Sequence, residues 1–372
     1  YMARRGENIR KRSDGRWEGR YIKGRSADGK PCWGYVYGTT YAEVREISAR
    51  KKAEHGIYNL NSTDITFSEI SEQWLYSVRQ GVKESTFSHY QYTLRHYLQP
   101  VFGDFKVSAL SEKILEQGLL AVITPANGKQ KPLGATMAQE CLSMLRRICK
   151  YAAHFHLIRP LEITVKLPQK SPKILLPFTT EEQKKLQSFV MDAPTPRKIG
   201  LLLGFQLGLR IGEICGLKWG DFDLLAGTVT IQRTVTRISC GNGHTKVVVQ
   251  SPKTQNSHRE IPLPKSLLRI LKKLSKDFSS GTWFLSGNEE KPVEPRCYRK
   301  SIYGYLKKAS VHQAHPHALR HTFATTCLQA HCDIKTLSEL LGHADAAVTL
   351  KKYVHSDMTR KRKEINRVFE NF

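Results

Sequence analysis

The sequence has no uninterrupted apolar run of the roughly 18 residues that a bilayer span requires. Its basic leading residues, Arg4, Arg5, Arg10, Lys11 and Arg12, have no apolar stretch behind them that could make a secretory signal. A membrane span or exported chain is therefore not expected, and the cytoplasm is the expected location. Cysteine is present but unpaired in pattern: the residues at 32, 141, 149, 215, 240, 297, 327 and 332 include no CxxC. This spacing suits reduced, packed thiols better than a disulfide frame or a zinc knuckle. Acidic side chains are scarce, 33 Asp and Glu against 59 Lys and Arg, for a net charge of +26. Such an excess repels itself unless a polyanion neutralises it, so DNA or RNA is the expected partner. A membrane surface is the weaker reading, because no single basic amphipathic helix dominates.

What is present fits a globular enzyme-sized chain. With 372 residues, 40% hydrophobic and 25% charged, two or three domains can each bury a core. Residues 1–60 are expected to form a small module. The segment ENIRKRSDGRWEGRYIKGRSADGKPCWGYVYG alternates basic with apolar or aromatic residues around two turn signals, Asp14-Gly15 and Asp28-Gly29. TTYAEVREISARKKAEHG then reads as one helix, with Thr39 or Thr40 as its cap and Gly56 as its stop. A basic three-stranded sheet with one covering helix is too small to be an enzyme but suits a DNA reader, with Arg10, Arg12, Arg16, Arg20 and Lys23 as candidate contacts. A solvated basic sheet without sequence preference is the alternative.

Residues 64–160 show apolar positions every three or four residues with Lys and Arg between them, the pattern of a helical bundle with a basic surface. Pro168, Pro172 and Pro177 mark residues 161–177 as an extended linker. Thr179 or Thr180, followed by acids, opens a third domain over residues 178–372. The expected fold is thus multidomain α+β: the small sheet and helix, a helical DNA-binding bundle, and a mainly α domain with a small antiparallel sheet.

Four patches of the third domain carry chemistry. In GLRIGE, Arg210 sits between Leu209 and Ile211, an expensive place unless an anion or Glu213 meets it. In SPKTQNSH, Lys253 is expected on a hairpin tip, where solvation alone would also explain it. In HPHALRH, His317, Arg320 and His321 share one helix face. The two histidines have metal-ligand spacing, but no glutamate lies between them and Arg320 would repel a cation. In LLGHADAAVTLKKYVH, a helix ends at Gly342, His343 follows, and a further helix is expected to carry Tyr353. No carboxylate cluster stands ready for Mg²⁺ or Zn²⁺. Guanidiniums that bind non-bridging phosphate oxygens, a tyrosine that can become a phenolate, and a lysine or histidine acid suit phosphoryl transfer without a metal.

The ordered set GLRIGE, the 253 lysine, HALRH, LLGHAD and TLKKYVH resembles the tyrosine recombinase, or phage integrase, family over about residues 178 to 356. Integrases of conjugative transposons and temperate phages with a small arm-binding module are the nearest likeness. The resemblance implies that Tyr353 attacks the scissile phosphate to give a 3′-phosphotyrosine and a free 5′-hydroxyl, while Arg210 and Arg320 clamp the phosphate. It implies Lys253, or its rival Lys246, as general acid, His317 in proton transfer and His343 as a phosphate hydrogen-bond donor. Glu213 would orient Arg210, and His321 would be structural or supporting. No cofactor is implied. The partners would be double-stranded DNA attachment sites, an excision helper protein, and three further copies in a tetramer on bacterial DNA. The tail stripe Ile365, Val368, Phe369 and Phe372 in residues 360–372 would dock on a neighbour or on its own domain. A type IB topoisomerase and a non-catalytic DNA-binding regulator are the alternatives.

Overall fold

The computed structural model describes residues 8–25, 31–57, 65–125, 131–169, 176–241, 244–251, 257–343 and 345–347, and in the tail Arg362, Ile365, Asn366 and Phe369. The chain divides into two compact units, Tyr1–Ser171 and Pro172–Phe372.

The first unit opens with an antiparallel sheet, β1 (Ile9–Lys11), β2 (Trp17–Arg25) and β3 (Pro31–Gly38), in the order β1-β2-β3. Strand alternation sends Ile9, Tyr21 and Val36 to one face, where Val44 of helix α1 (Tyr41–Ile57) packs on them. A side chain at Gly19 would meet Ser48 Oγ at 2.4 Å and Val44 Cγ1 at 2.8 Å, so the helix can lie this close only over glycine. Gly15, at φ +87°, makes the first expected turn; the second, Asp28-Gly29, falls outside the described residues. Thr40 caps α1 by accepting the Glu43 N–H at 3.2 Å, and the helix runs one residue past its expected stop at Gly56.

The other sheet face is built differently from a simple basic surface. Glu18 is buried there, accepting Arg10 Nε at 3.0 Å and an Arg12 guanidinium nitrogen at 2.8 Å. Beside it Arg20 lies 4.7 Å from the Trp33 ring centroid and Arg12 5.6 Å from that of Tyr37. Arg16 pairs with Asp14 in the turn, and Lys23 is exposed at a bulge between Ile22 and Gly24.

Helices α2 (Phe67–Val78), α3 (Glu84–Thr93), α4 (Gln99–Phe102), α5 (Glu112–Ile123) and α6 (Ala135–His154) follow. Thr66 and Glu69 form a reciprocal cap on α2. A π-helical turn, Leu94–Leu98, joins α3 to α4, and Pro100 falls in the first turn of α4, where its missing N–H removes no intrahelical bond. Phe67, Leu94, Leu98, Phe102, Leu115, Leu119, Leu145 and Ile148 are fully buried in this bundle. Cys141 and Cys149 pack in the same core, where burial pushes both thiols up to about 12. All eight cysteines are free thiols.

In the second unit, Thr179 and Glu182 cap α7 (Thr180–Asp192) reciprocally. The apolar helix α8 (Pro196–Gln206) buries Ile199, Leu201, Leu202 and Leu203, each worth about 2 kcal/mol of transfer free energy. The chain then turns at Gly208, φ +66°, where a side chain would strike the Phe323 ring at 2.5 Å, and enters the short helix α9 (Ile211–Cys215). Strands β4 (Phe222–Asp223), β5 (Thr228–Ile231), β6 (Thr234–Gly241), β7 (His244–Gln250) and β8 (Arg259–Pro262) come next. Helices α10 (Lys265–Leu274), α11 (Pro295–Lys308), α12 (His317–Gln329) and α13 (Ile334–Leu341) complete the described elements.

One strand expectation is corrected. Among the described residues β7 pairs with β6 and β8 with β5, in sheets ordered β6-β7 and β4-β5-β8, so these two strands are not hairpin partners of each other; Lys253, between them in sequence, lies outside the described residues. The apolar residues Val229, Ile231 and Ile261 select that pairing, since it places all three in the main core. Among the described residues no helix is long and apolar enough to cross a membrane.

Candidate active site

The site grows from the carboxyl end of α13. Gly342 adopts the left-handed conformation, φ 62° and ψ 48°, that ends a helix and turns the chain toward His343. The last carbonyls of a helix lack intrahelical partners and carry the negative end of its dipole. Here three arginines from three other elements take them. Arg259 Nε reaches Leu340 O at 2.7 Å, Arg320 reaches Leu341 O at 2.6 Å, and Arg210 approaches Gly342 O at 3.5 Å.

Arg320, on α12, is only 4% exposed. Its other terminal nitrogen donates to Gly208 O at 2.7 Å, tying the turn before Arg210 to the helix behind His343. The nitrogen that reaches Leu341 O also lies 3.0 Å from His343 Nε2. A guanidinium has donors only, so in this contact Nε2 is the acceptor.

Arg210 precedes α9 and is held through Glu213. The carboxylate accepts the Arg210 backbone N–H at 2.9 Å and its guanidinium at 2.7 Å, so Glu213 in the first turn satisfies the residue that precedes the helix. About a third of the Arg210 side chain, 35%, stays exposed, whereas Glu213 is 4% exposed. Both alternatives read for Arg210 therefore have a counterpart: an internal ion pair, and surface left over for an anion.

Arg259 was not singled out in the sequence. It forms a two-pronged pair with Glu213 at 3.3 and 3.0 Å and also donates to Ser257 O at 3.2 Å. The signal lay in REIP: if Ile261 faces inward on a strand, so does Arg259, and an inward arginine demands a carboxylate. Burial pushes the Glu213 carboxyl upward, but the Arg259 charge and hydrogen bonds, helped by Arg210, outweigh it and hold the group below the ordinary glutamate range.

A stability prediction follows from this pair. Glu213→Gln leaves Arg259 buried without its counter-charge, at a cost of about 3–5 kcal/mol at pH 7. Because the folded carboxyl titrates below the unfolded one, its contribution is complete above about pH 4.3. It is lost as pH falls through the lower folded value. Native-state hydrogen exchange of the α9 and α13 amides should show a wild-type advantage at pH 7 that narrows below pH ~4. A gap constant from neutral to acid pH would show that the charge is not what matters.

His317 opens α12, exposed, with its ring stacked on His315 at 5.3 Å between centroids. His315 was also overlooked; burial, aided by Arg299, pushes its pKa down. His321 lies on the same helix and is half-buried. Lys246 is exposed on β7 opposite Ile238. Lys253 and Tyr353 lie outside the described residues. Among the described residues no group of three or more His, Cys, Asp or Glu is arranged to hold a metal ion.

A model of the phage integrase family matches residues 177–360, and one of the phage integrase N-terminal SAM-like domain matches residues 66–117. A XerC-like tyrosine recombinase of Caldanaerobacter subterraneus subsp. tengcongensis is 27% identical over 89% of this chain and 90% of its own. The tyrosine recombinase XerC of Thermodesulfovibrio yellowstonii is 30% identical over 72% of this chain and 86% of its own. Two solved structures share the fold. The Tn1549 transposon integrase in complex with transposon right end DNA has a TM-score of 0.65 at 21% identity, over 82% of this chain and 99% of that one. The lambda integrase tetramer bound to a Holliday junction has a TM-score of 0.55 at 17% identity, over 95% and 97%. With this relationship running through most of its length, the chain belongs to the phage integrase family, the tyrosine recombinases.

Proposed function

We propose that this tyrosine recombinase cuts and rejoins DNA at attachment sites to integrate and excise a mobile element, using Tyr353 as nucleophile. The phenol oxygen of Tyr353 attacks the scissile phosphorus as it loses its proton, the bond from phosphorus to the 5′ oxygen breaks, and Lys253 protonates that oxygen. A 5′-hydroxyl from another strand reverses the step and restores the phenol. The phosphodiester is conserved in the phosphotyrosine, so no ATP is consumed. Arg210 and Arg320 bind the non-bridging oxygens and offset charge that builds in the transition state. His343 hydrogen-bonds the phosphate, His317 assists proton transfer, Glu213 orients Arg210, and His321 supports α12.

One observation carries this reading: residues from three separate sequence patches, Arg210, Arg320 and His343, meet at the end of α13, ten residues before Tyr353. The remaining domains complete the function. Residues 1–60 bind arm-type DNA through the Arg20 and Trp33 face, residues 64–160 grip the core site, residues 161–177 link them to the catalytic domain at 178–372, and the enzyme works in the bacterial cytoplasm. Exchange of all strands between two duplexes requires four tyrosines, and the lambda integrase tetramer supports a homotetramer here. Ile365 and Phe369 are helical and 59% and 65% exposed, which supports docking of residues 360–372 on a neighbour. A helper protein that bends DNA would set the direction toward excision.

The test is a nicked suicide substrate carrying the candidate site, incubated with the protein in EDTA and run on a denaturing gel. A covalent protein-DNA band is expected. DNA that binds tightly yet never becomes attached would indicate a regulator, and relaxation of supercoils by isolated monomers without strand exchange would indicate a topoisomerase.

A further inference from the structure

We infer that Arg259 is a positioning residue for strand cleavage, the joint through which the elements carrying the catalytic side chains are fixed relative to one another. The inference rests on the reading of Arg210, Arg320 and His343 given above. Arg259 touches the neighbours of Arg210 and of His343 while itself staying buried. Through its two-pronged pair with Glu213 it sets the carboxylate that holds the Arg210 backbone and guanidinium. Through Leu340 O at 2.7 Å it holds α13 two residues before the left-handed Gly342 and three before His343. Through Ser257 O at 3.2 Å it anchors the end of the segment that carries Lys253.

Its geometry sets it apart from Arg210. The Arg259 side chain is 7% exposed, against 35% for Arg210, and its nitrogens are engaged by Leu340 O, Ser257 O and both Glu213 oxygens. With its charge matched by a buried carboxylate and most of its N–H donors taken inside the protein, Arg259 is placed to brace the site rather than to bind a DNA phosphate. The planar guanidinium can nevertheless do what no ammonium could: bind a carboxylate along one edge while donating to a backbone carbonyl from Nε. Releasing it would free Glu213 to reorient and let the end of α13 shift. A misplacement of about 1 Å at a reacting centre costs on the order of 10²-fold in rate.

The experiment compares wild type and Arg259→Met on a suicide substrate with a normal scissile phosphate and on one with a neutral methylphosphonate there. DNA affinity and thermal melting are measured alongside. A neutral phosphonate has less need of the arginine clamp, so a defect that comes from a mis-set clamp must shrink on it. The expected result is DNA affinity within about threefold of wild type and single-turnover cleavage of the phosphate slowed roughly 10–100-fold. On the methylphosphonate that defect should fall to within about threefold. An equal defect on both substrates, or cleavage within about twofold of wild type, overturns the inference. Should Arg259→Met fail to fold, Arg259→Lys, which keeps charge but loses the fork, decides by the same criteria. If wild type forms no adduct with either substrate, the proposed function itself falls, and this inference with it.

Discussion

Tyr353→Phe is expected to bind an attachment-site duplex as wild type does and to form no covalent adduct with it, a loss on the order of 10⁴-fold or more. The change removes one oxygen and leaves the ring. Affinity comes mainly from Lys and Arg on phosphates, of which this +26 chain has many, so binding is unaffected. Two other tyrosines of the second unit are poorly placed to step in. Tyr298 is fully buried and donates its hydroxyl to Arg197 O at 2.9 Å, and burial pushes its pKa well above the ordinary value. Burial raises Tyr305 in the same sense. Tyr303 is 37% exposed, which makes Tyr303→Phe the matched control, expected to leave the adduct intact. The denaturing gel decides: an adduct of equal yield from Tyr353→Phe would mean that another group attacks, and tryptic mapping of the attached nucleotide would identify it.

How far the sequence could be read depended on whether the interaction involved was local. The cap of α7 by Thr179 and Glu182 and the turn at Gly208 follow from residues next to one another, and both are visible in the string of letters. Arg210 was legible because a cation between Leu209 and Ile211 is costly unless an anion or carboxylate meets it, and Arg320 and His343 because HALRH and LLGHAD fall in order with the other patches. Arg259 was hidden because its partners, Glu213 and Leu340 O, are 46 and 81 residues away. Strand pairing misled in the same way, since the sequence from β7 to β8 looks like a hairpin, and only the distant β5 reveals why it is not. Glu18 shows the same effect at small scale. The amino-terminal strands read as basic residues alternating with apolar or aromatic ones, yet their most buried charge is an acid that fixes the orientation of Arg10 and Arg12.

Arg320 carries the second large effect, and it separates chemistry from scaffolding. Arg320→Ala removes a donor to Gly208 O and a donor shared by Leu341 O and His343 Nε2. Each buried carbonyl left unpaired costs about 1–3 kcal/mol. The protein should therefore melt at lower temperature, and cleavage should fall by about 10³-fold or more as a clamp on the transition-state charge is lost. Arg320→Lys keeps the charge but offers one ammonium where the guanidinium spans two carbonyls and an imidazole, so it should recover part of the stability and little of the rate. The neutral-phosphonate substrate again discriminates. If Arg320 acts on the phosphate charge, both variants recover most of their cleavage on that substrate even though their melting temperatures do not change. If Arg320 only braces α13 against the Gly208 turn, rate and stability will move together on every substrate, and the catalytic role given to Arg320 will have to be withdrawn.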